Sequence, residues 1–320
     1  SHISQRDHNN RIFGCYSFLK SRVELFSHDI NLSEFLHASL QHINLVYVEI
    51  GENINAYEVF QSLNFLGKPL SQIDLVRNFF FMKISDKEEA LKTYLDYWKP
   101  LEDKFGNNSS IFEDLIKQYL KNKGYEISGN NKIYSTIYDE FKDQGVDKIK
   151  KLLFDISDFS NLKDKYLEEI QFLKIEGASN QFIQELKDSL CRIKIIDHSS
   201  FNALILIYCR NFDEVINDYS SEKEKNKRIR QFIEIISLLE TFAIRSLLCT
   251  NFRKVEPVII HICRKFSYNQ FDYSFSSLLT YISKFIPDDC SFGNAIKNLN
   301  IYQQNQKLTD FVLRALEYHK

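Results

Sequence analysis

Glycine and proline are scarce in this chain: 9 and 4 among 320 residues. A turn-rich all-β fold, a collagen-like repeat and a glycine-rich linker are excluded on that ground. None of the few glycines sits in a Walker A or G-x-S-x-G string, so no loop of those classes cradles a phosphate or presents a serine. The 6 cysteines (Cys15, Cys191, Cys209, Cys249, Cys263, Cys290) form no C-x-x-C pair. Lying inside apolar patterns, they are expected to be reduced core thiols of a cytoplasmic protein. The 8 histidines never pair with a carboxylate in the H-E-x-x-H manner. His261-Ile-Cys263 is no zinc spacing by itself, and no second cluster complements it. No run is long and apolar enough for a membrane span, and no signal peptide is visible. A net charge of −2 provides no overall attraction to nucleic acid.

What is present favours helices packed through aromatics, for the chain holds 27 Phe and 17 Tyr in a 44% hydrophobic composition. Ile12, Tyr16, Leu19 and Val23 recur at helical spacing, and Ser33 begins a short helix through Leu40. Ile43–Ile50 is β-branched and forms the best candidate strand, one that needs partners elsewhere to make a sheet. From Ser85 onward nearly everything reads as helix. Ser85-x-x-Glu88 fits a capping box, with Leu91, Tyr94, Leu95 and Trp98 following on one face. Further helices are expected over Ile111–Lys123, Lys132–Lys142, Val146–Leu153, Asn161–Ile175, Asn180–Lys187, Ser200–Arg210, Glu222–Cys249, Val255–Phe266, Ser274–Phe285, Ser291–Asn298 and Leu308–Tyr318. Loops fall at Gly106–Ser110 and Ser128–Asn131, and no fixed-period repeat stands out.

The densest information lies in Asn55–Phe81, which reads as two helices joined by a tight turn. Val59, Phe60 and Leu63 give the first helix an apolar face, and Gly67 suits a left-handed terminus. Ser71 and Asp74 have capping-box spacing, and the second helix would bury Ile73, Val76, Phe80 and Phe81. Phe60, Asn64, Gly67, Leu70, Asp74, Leu75, Val76, Arg77 and Asn78 together resemble the F-x-x-x-N-x-x-G-x-x-L-x-x-x-D-L-[IV]-[KR]-N motif of GmrSD-type restriction endonucleases, a bacterial family. The resemblance continues, thinly in places, over most of the chain. Trp98 to Glu102 is similar to the family's W-x-x-L-E segment, and Lys132-Ile133-Tyr134 with Phe141-Lys142 to its I-Y-x-x-F-K helix. Leu239-Glu240, Phe242 and Arg245 resemble its L-E-x-[FY]-x-x-R helix, and Ile301-Tyr302 with Phe311–Glu317 the segments before its nuclease motif.

The resemblance implies a mainly α protein whose residues 1–84 complete an α+β domain of ParB/sulfiredoxin-like fold and whose residues 85–320 form a helical domain leading to an HNH nuclease. The family's Asp-Gly-Gln-Gln-Arg string belongs upstream of Asn55 and its E-H-x-x-P string just after Glu317; neither occurs. With Ser1-His2 at its start and Met82 as its only methionine, the chain is expected to be a fragment or processed piece lying between two catalytic motifs. The alternative is an intact short homologue that has lost both. The implied parent is a nucleoside triphosphate-dependent, divalent metal-dependent endonuclease that cuts modified or foreign DNA in phage defence. This portion would then couple or recognise without catalytic residues, cofactor or metal of its own. A non-enzymatic helical interaction module on the same scaffold is the competing reading.

Two constellations are the candidate binding residues. Asn64, Gly67, Asp74, Arg77 and Asn78 gather at the corner of the helical hairpin, where an Arg suits bidentate phosphate contact and a helix start offers amides. The bland reading has Asp74 capping its own helix and Asn64 the preceding one. Ser220–Gln231 holds Lys223, Lys225, Lys227, Arg228 and Arg230, a run able to touch a DNA backbone by charge. Its bland reading is a solvated helix start, because Glu222 and Glu224 are interleaved with it. Arg245, Arg253, Lys254, Arg264 and Lys265 would extend it into a discontinuous basic face.

Overall fold

A computed structural model describes residues 11–26, 31–42 and 70–298, apart from short breaks at 85, 107, 128, 130–131, 197 and 250–254. The candidate strand at 43–50, the first helix and turn of the hairpin with Asn64 and Gly67, and the segments beyond 298 lie outside those residues. The described residues are helical and contain no strand. By internal contacts the chain divides at 60/61. The first unit holds α1 (Arg11–Phe26) and α2 (Leu32–His42). Tyr16, Leu19 and Val23, spaced as one helical stripe, are exposed. At the start of α2 the Asn31 side chain accepts from Ser33 N at 3.1 Å, which places the cap two residues before the expected start.

The second unit begins its described part with α3 (Gln72–Lys83). Ser71 and Asp74 make the expected reciprocal capping box. Ile73, Val76 and Phe80 are buried as expected, and Phe81 is half-buried. They share one continuous core with Trp98, Phe112 and Ile133, so α3 packs with helices beyond the expected boundary near residue 84. α4 (Lys87–Thr93) is capped by Asp86, whose carboxylate accepts from Glu89 N at 2.7 Å. The cap therefore lies one residue after the Ser85 of the expected box, and it is a single bond with no reciprocal partner among the described residues. A π-helical turn, Tyr94–Trp98, runs into α5 (Lys99–Phe105). That wide turn rotates α5 relative to α4 and breaks the expected common face: Trp98 is fully buried while Leu91 and Leu95 are exposed.

α6 (Ser109–Asn122), α7 (Lys132–Phe141) and α8 (Val146–Lys163) come next. α8 runs through the break expected after Leu153 and ends in a π turn, Asp164–Glu168, and a short 3-10 turn, Ile170–Phe172. α9 (Asn180–Lys194), α10 (Ser199–Ile216), α11 (Glu222–Cys249), α12 (Glu256–Ser267), α13 (Phe275–Ile282) and α14 (Asp289–Asn298) complete the unit. α10 is its centre. Every residue from Ser200 to Cys209 is buried, the pattern of a helix surrounded on all sides. α6, α8, α11 and α12 pack around it, and α9 lies along α11. The thiols divide by helical phase. Cys209 and Cys263 are core residues whose burial pushes their pKa values up, whereas Cys15, Cys191 and Cys290 are exposed, contrary to the expectation that all were core. No described helix is long and apolar enough to cross a membrane.

Candidate functional site

The start of α3 carries three of the five hairpin residues. Asp74 Oδ2 accepts from the Ser71 hydroxyl at 2.7 Å, while its Oδ1 lies 3.5 Å from Arg77 Nη2. One helical turn separates Asp74 from Arg77, so the same residue that caps the helix also steadies the guanidinium. The Arg77 Nη1 donates to Glu102 Oε1 at 3.0 Å. Glu102 is the hub of this site. Its Oε1 also accepts from Trp98 Nε1 at 2.8 Å, and its Oε2 from the Tyr94 hydroxyl at 2.8 Å. Burial first, then the Glu102 carboxylate, raise the Tyr94 hydroxyl above its ordinary pKa.

Two motif segments that are separate in sequence thus meet in space, Asp74-Leu-Val-Arg77 on α3 and Trp98-x-x-Leu-Glu102 across α5. Beneath them Trp98 packs edge-on to Phe80 at 6.1 Å and Phe81 at 6.3 Å, and lies 5.2 Å from Phe112. The indole needs an acceptor once buried, and Glu102 supplies it. The Gln72 amide at the helix start donates to Glu113 Oε1 of α6 at 3.0 Å. The Gln72 side-chain oxygen accepts from Tyr134 N of α7 at 3.1 Å. Acidic side chains of the chain itself therefore stand at the helix start and on both sides of the guanidinium. Arg77 remains over a third exposed, at 38% of its side chain, which leaves one face of it open to solvent. Asn78 is half-buried on α3 and makes no side-chain hydrogen bond among the described residues. Neither Glu102 nor Glu113 stood out as a site residue in the sequence. Glu102 was legible as a motif position, but Glu113 becomes a cap only through tertiary packing.

The basic run spreads around the first turns of α11. Lys225 Nζ donates to Glu176 O at 2.6 Å, Arg228 Nη2 donates to Asn211 Oδ1 at 2.8 Å, and Arg230 stands 5.1 Å over the Phe182 ring. These three tie α11 to the 176–177 turn, α10 and α9. Lys223 and Lys227 are exposed, and Ser221 caps the helix through Glu224. Farther along, Glu240 meets Arg192 at 3.3 Å, and Arg245 donates to Pro287 O at 2.9 Å while covering Phe292. Arg264 donates to Gly124 O at 3.1 Å, and Lys265 lies over Tyr281. Arg253 and Lys254 lie outside the described residues.

A second polar cluster had no sequence signal at all. Lys121, with 3% of its side chain exposed, ion-pairs with Glu256 and donates to the Ser199 and Ser200 hydroxyls at 2.9 and 3.0 Å. Ser200 Oγ donates to the same Glu256 oxygen at 2.8 Å, and His198 Nδ1 accepts from Ser200 N at 3.3 Å, capping α10. Burial pushes the Glu256 carboxyl up, but the hydrogen bonds from Lys121 and Ser200 outweigh it and leave the pKa below its ordinary value. With Ser200 and Lys121 buried and Glu256 partly exposed, this cluster joins the ends of α6, α10 and α12. No group of three or more His, Cys, Asp or Glu able to hold a metal occurs among the described residues. Compared with models of known protein families, with curated proteins and with solved structures, the chain matches none.

Proposed function

We propose that this chain is the non-catalytic coupling and recognition portion of a nucleotide-dependent, modification-dependent DNA restriction endonuclease of the GmrSD type, acting in bacterial phage defence. In this reading its N-terminal residues belong to an α+β domain of ParB/sulfiredoxin-like fold. Its helices link that domain to an HNH nuclease, where the metal-assisted chemistry resides. One observation carries the reading: Asp74, Arg77, Trp98 and Glu102, from two separate motif segments, are joined by ion pairs and hydrogen bonds into one unit. A nucleotide phosphate would bind the open face of Arg77, with Asp74 and Glu102 holding the guanidinium in place and Asn64, Gly67 and Asn78 nearby on the hairpin. Modified or foreign DNA is the partner, and any contribution of Lys223 or Lys227 to its backbone is a local, salt-screened one.

The second reading, a non-enzymatic helical interaction module, is favoured by the occupation of Arg77 by two carboxylates and of the Gln72 amide by a third. Calorimetric titration of ATP and GTP into the natural full-length protein separates the two. Arg77→Ala is expected to weaken nucleotide binding at least about tenfold while Lys225→Ala leaves it unchanged. Equal affinity of Arg77→Ala and wild type, or no nucleotide binding by either, overturns the nucleotide role and leaves the module.

A further inference from the structure

Apart from that unit, the C-terminal ends of α6, α7 and α12 converge on one open cleft of about 470 Å³. Ligand pockets commonly measure about 300–1,000 Å³, so a small organic molecule fits. Its walls are aromatic, with Tyr125 following α6, Phe141 ending α7, and Tyr268 following α12 and exposed at the mouth. Gly124 lets the cleft exist. It takes a φ of +88° after α6 and brings that turn directly against the backbone of Arg264.

The lining carries two cations, Lys123 and Arg264, and two carboxylates, Glu126 and Glu140. Lys123 pairs with Asp155 at 3.7 Å and lies 5.4 Å from the Tyr119 ring. Arg264 is held by Gly124 O and by Glu126 at 3.3 Å. Both cations of the lining are thereby engaged with groups of this chain. Glu140 has no ion-pair partner among the described residues. It stands beside the Tyr125 hydroxyl, whose pKa is raised by burial and then by that carboxylate. Residues at the C-terminal ends of three helices border the same space. Aromatic faces, an unmatched carboxylate and convergent helix C-termini all favour a positive charge carried on an apolar body.

We infer that this cleft is a binding site for a small organic cation of the alkylammonium or trimethylammonium class, held by cation–π contact with Tyr125 and Tyr268 and by the carboxylate of Glu140. Choline is the probe, and 3,3-dimethylbutan-1-ol, of the same shape without the charge, is its control. Binding is followed by the NMR signals of the cleft tyrosines. Choline is expected to saturate the site with a Kd on the order of 1 mM, and the neutral analogue to bind at least about fivefold more weakly. Glu140→Gln and Tyr268→Ala, both at exposed positions that leave the core intact, should each weaken choline at least about fivefold. Three results overturn the inference: no saturation up to about 50 mM choline, equal binding of the neutral analogue, or choline affinity unchanged in both variants.

Discussion

Gly124→Ala is expected to be the most damaging alanine substitution among the described glycines, because two separate costs meet there. At φ +88° an L side chain is strained against its own backbone, which costs about 1–2 kcal/mol. The new Cβ would also lie 2.5 Å from the Arg264 Cα, 2.6 Å from its Cβ and 2.8 Å from its amide nitrogen. Comfortable carbon contacts lie near 3.5–4.0 Å, so the α6 turn and α12 would have to separate by about 1 Å. Overpacking of that kind costs roughly 1–3 kcal/mol, and the sum is about 3 kcal/mol. The turn has little freedom to yield. Gly124 N donates to Lys121 O at 2.8 Å and Tyr125 N to Leu120 O at 3.0 Å, the paired bonds of a Schellman terminus, and Arg264 clasps the Gly124 carbonyl. Two controls separate the terms. Gly177→Ala shares the backbone strain, at φ +72°, but meets only the flexible Lys225 tip at 3.5 Å, and should lose about 1 kcal/mol. Gly293→Ala in the open surface of α14 should gain about 0.5–1 kcal/mol. Urea unfolding read by the fluorescence of Trp98, the single tryptophan and fully buried, reports all three. A loss at Gly124 no greater than at Gly177 would refute the close approach of α6 and α12.

Glu102→Ala should destabilise by about 2 kcal/mol, since it strands the buried Trp98 indole N–H; Glu102→Gln, which keeps an acceptor, should lose less, and equal unfolding midpoints for the two would refute the role of that bond. Glu256→Ala should cost about 3 kcal/mol by leaving the Lys121 ammonium buried without its counter-ion, whereas Lys121→Met combined with Glu256→Leu should recover most of it; failure of that recovery in thermal melts would place the cost elsewhere. The folded pKa of Glu256 lies below its ordinary value of 4.5, so its ionised form stabilises the fold above that pH and the contribution fades as pH falls through the lower, folded value. A Glu256→Gln variant should therefore show a shallower acid-side loss of stability than wild type, and identical acid profiles would exclude that linkage.

Much of the helical architecture was legible because helical periodicity and capping are local. Ser71 and Asp74 sit at capping distance whatever surrounds them, and the buried run of α10 reads directly from its apolar residues. Local rules also explain the small displacements. Asp86 caps the helix start, and the π turn at Tyr94–Trp98 shifts the apolar stripe. Within the candidate site, Asp74 and Arg77 were legible as neighbours because one helical turn joins them.

Their completion by Glu102 and by Glu113 was not legible, for those partners lie 25 and 41 residues from Arg77 and Gln72 and arrive only when α3 packs on α5 and α6. The same holds for the basic run. Composition made Lys225, Arg228 and Arg230 look like one solvated patch, but helical phase sends them toward Glu176, Asn211 and Phe182 on separate neighbours. By itself, then, the sequence determined a mainly α chain, many of its helix starts to within a residue or two, and the motif residues of α3, all set by interactions within a few residues. Tertiary structure alone decided which carboxylate meets which cation, how the ends of α6, α7 and α12 enclose a cleft, and where Lys121 finds Glu256. Those outcomes depend on distances between residues far apart in the chain, which no local pattern encodes.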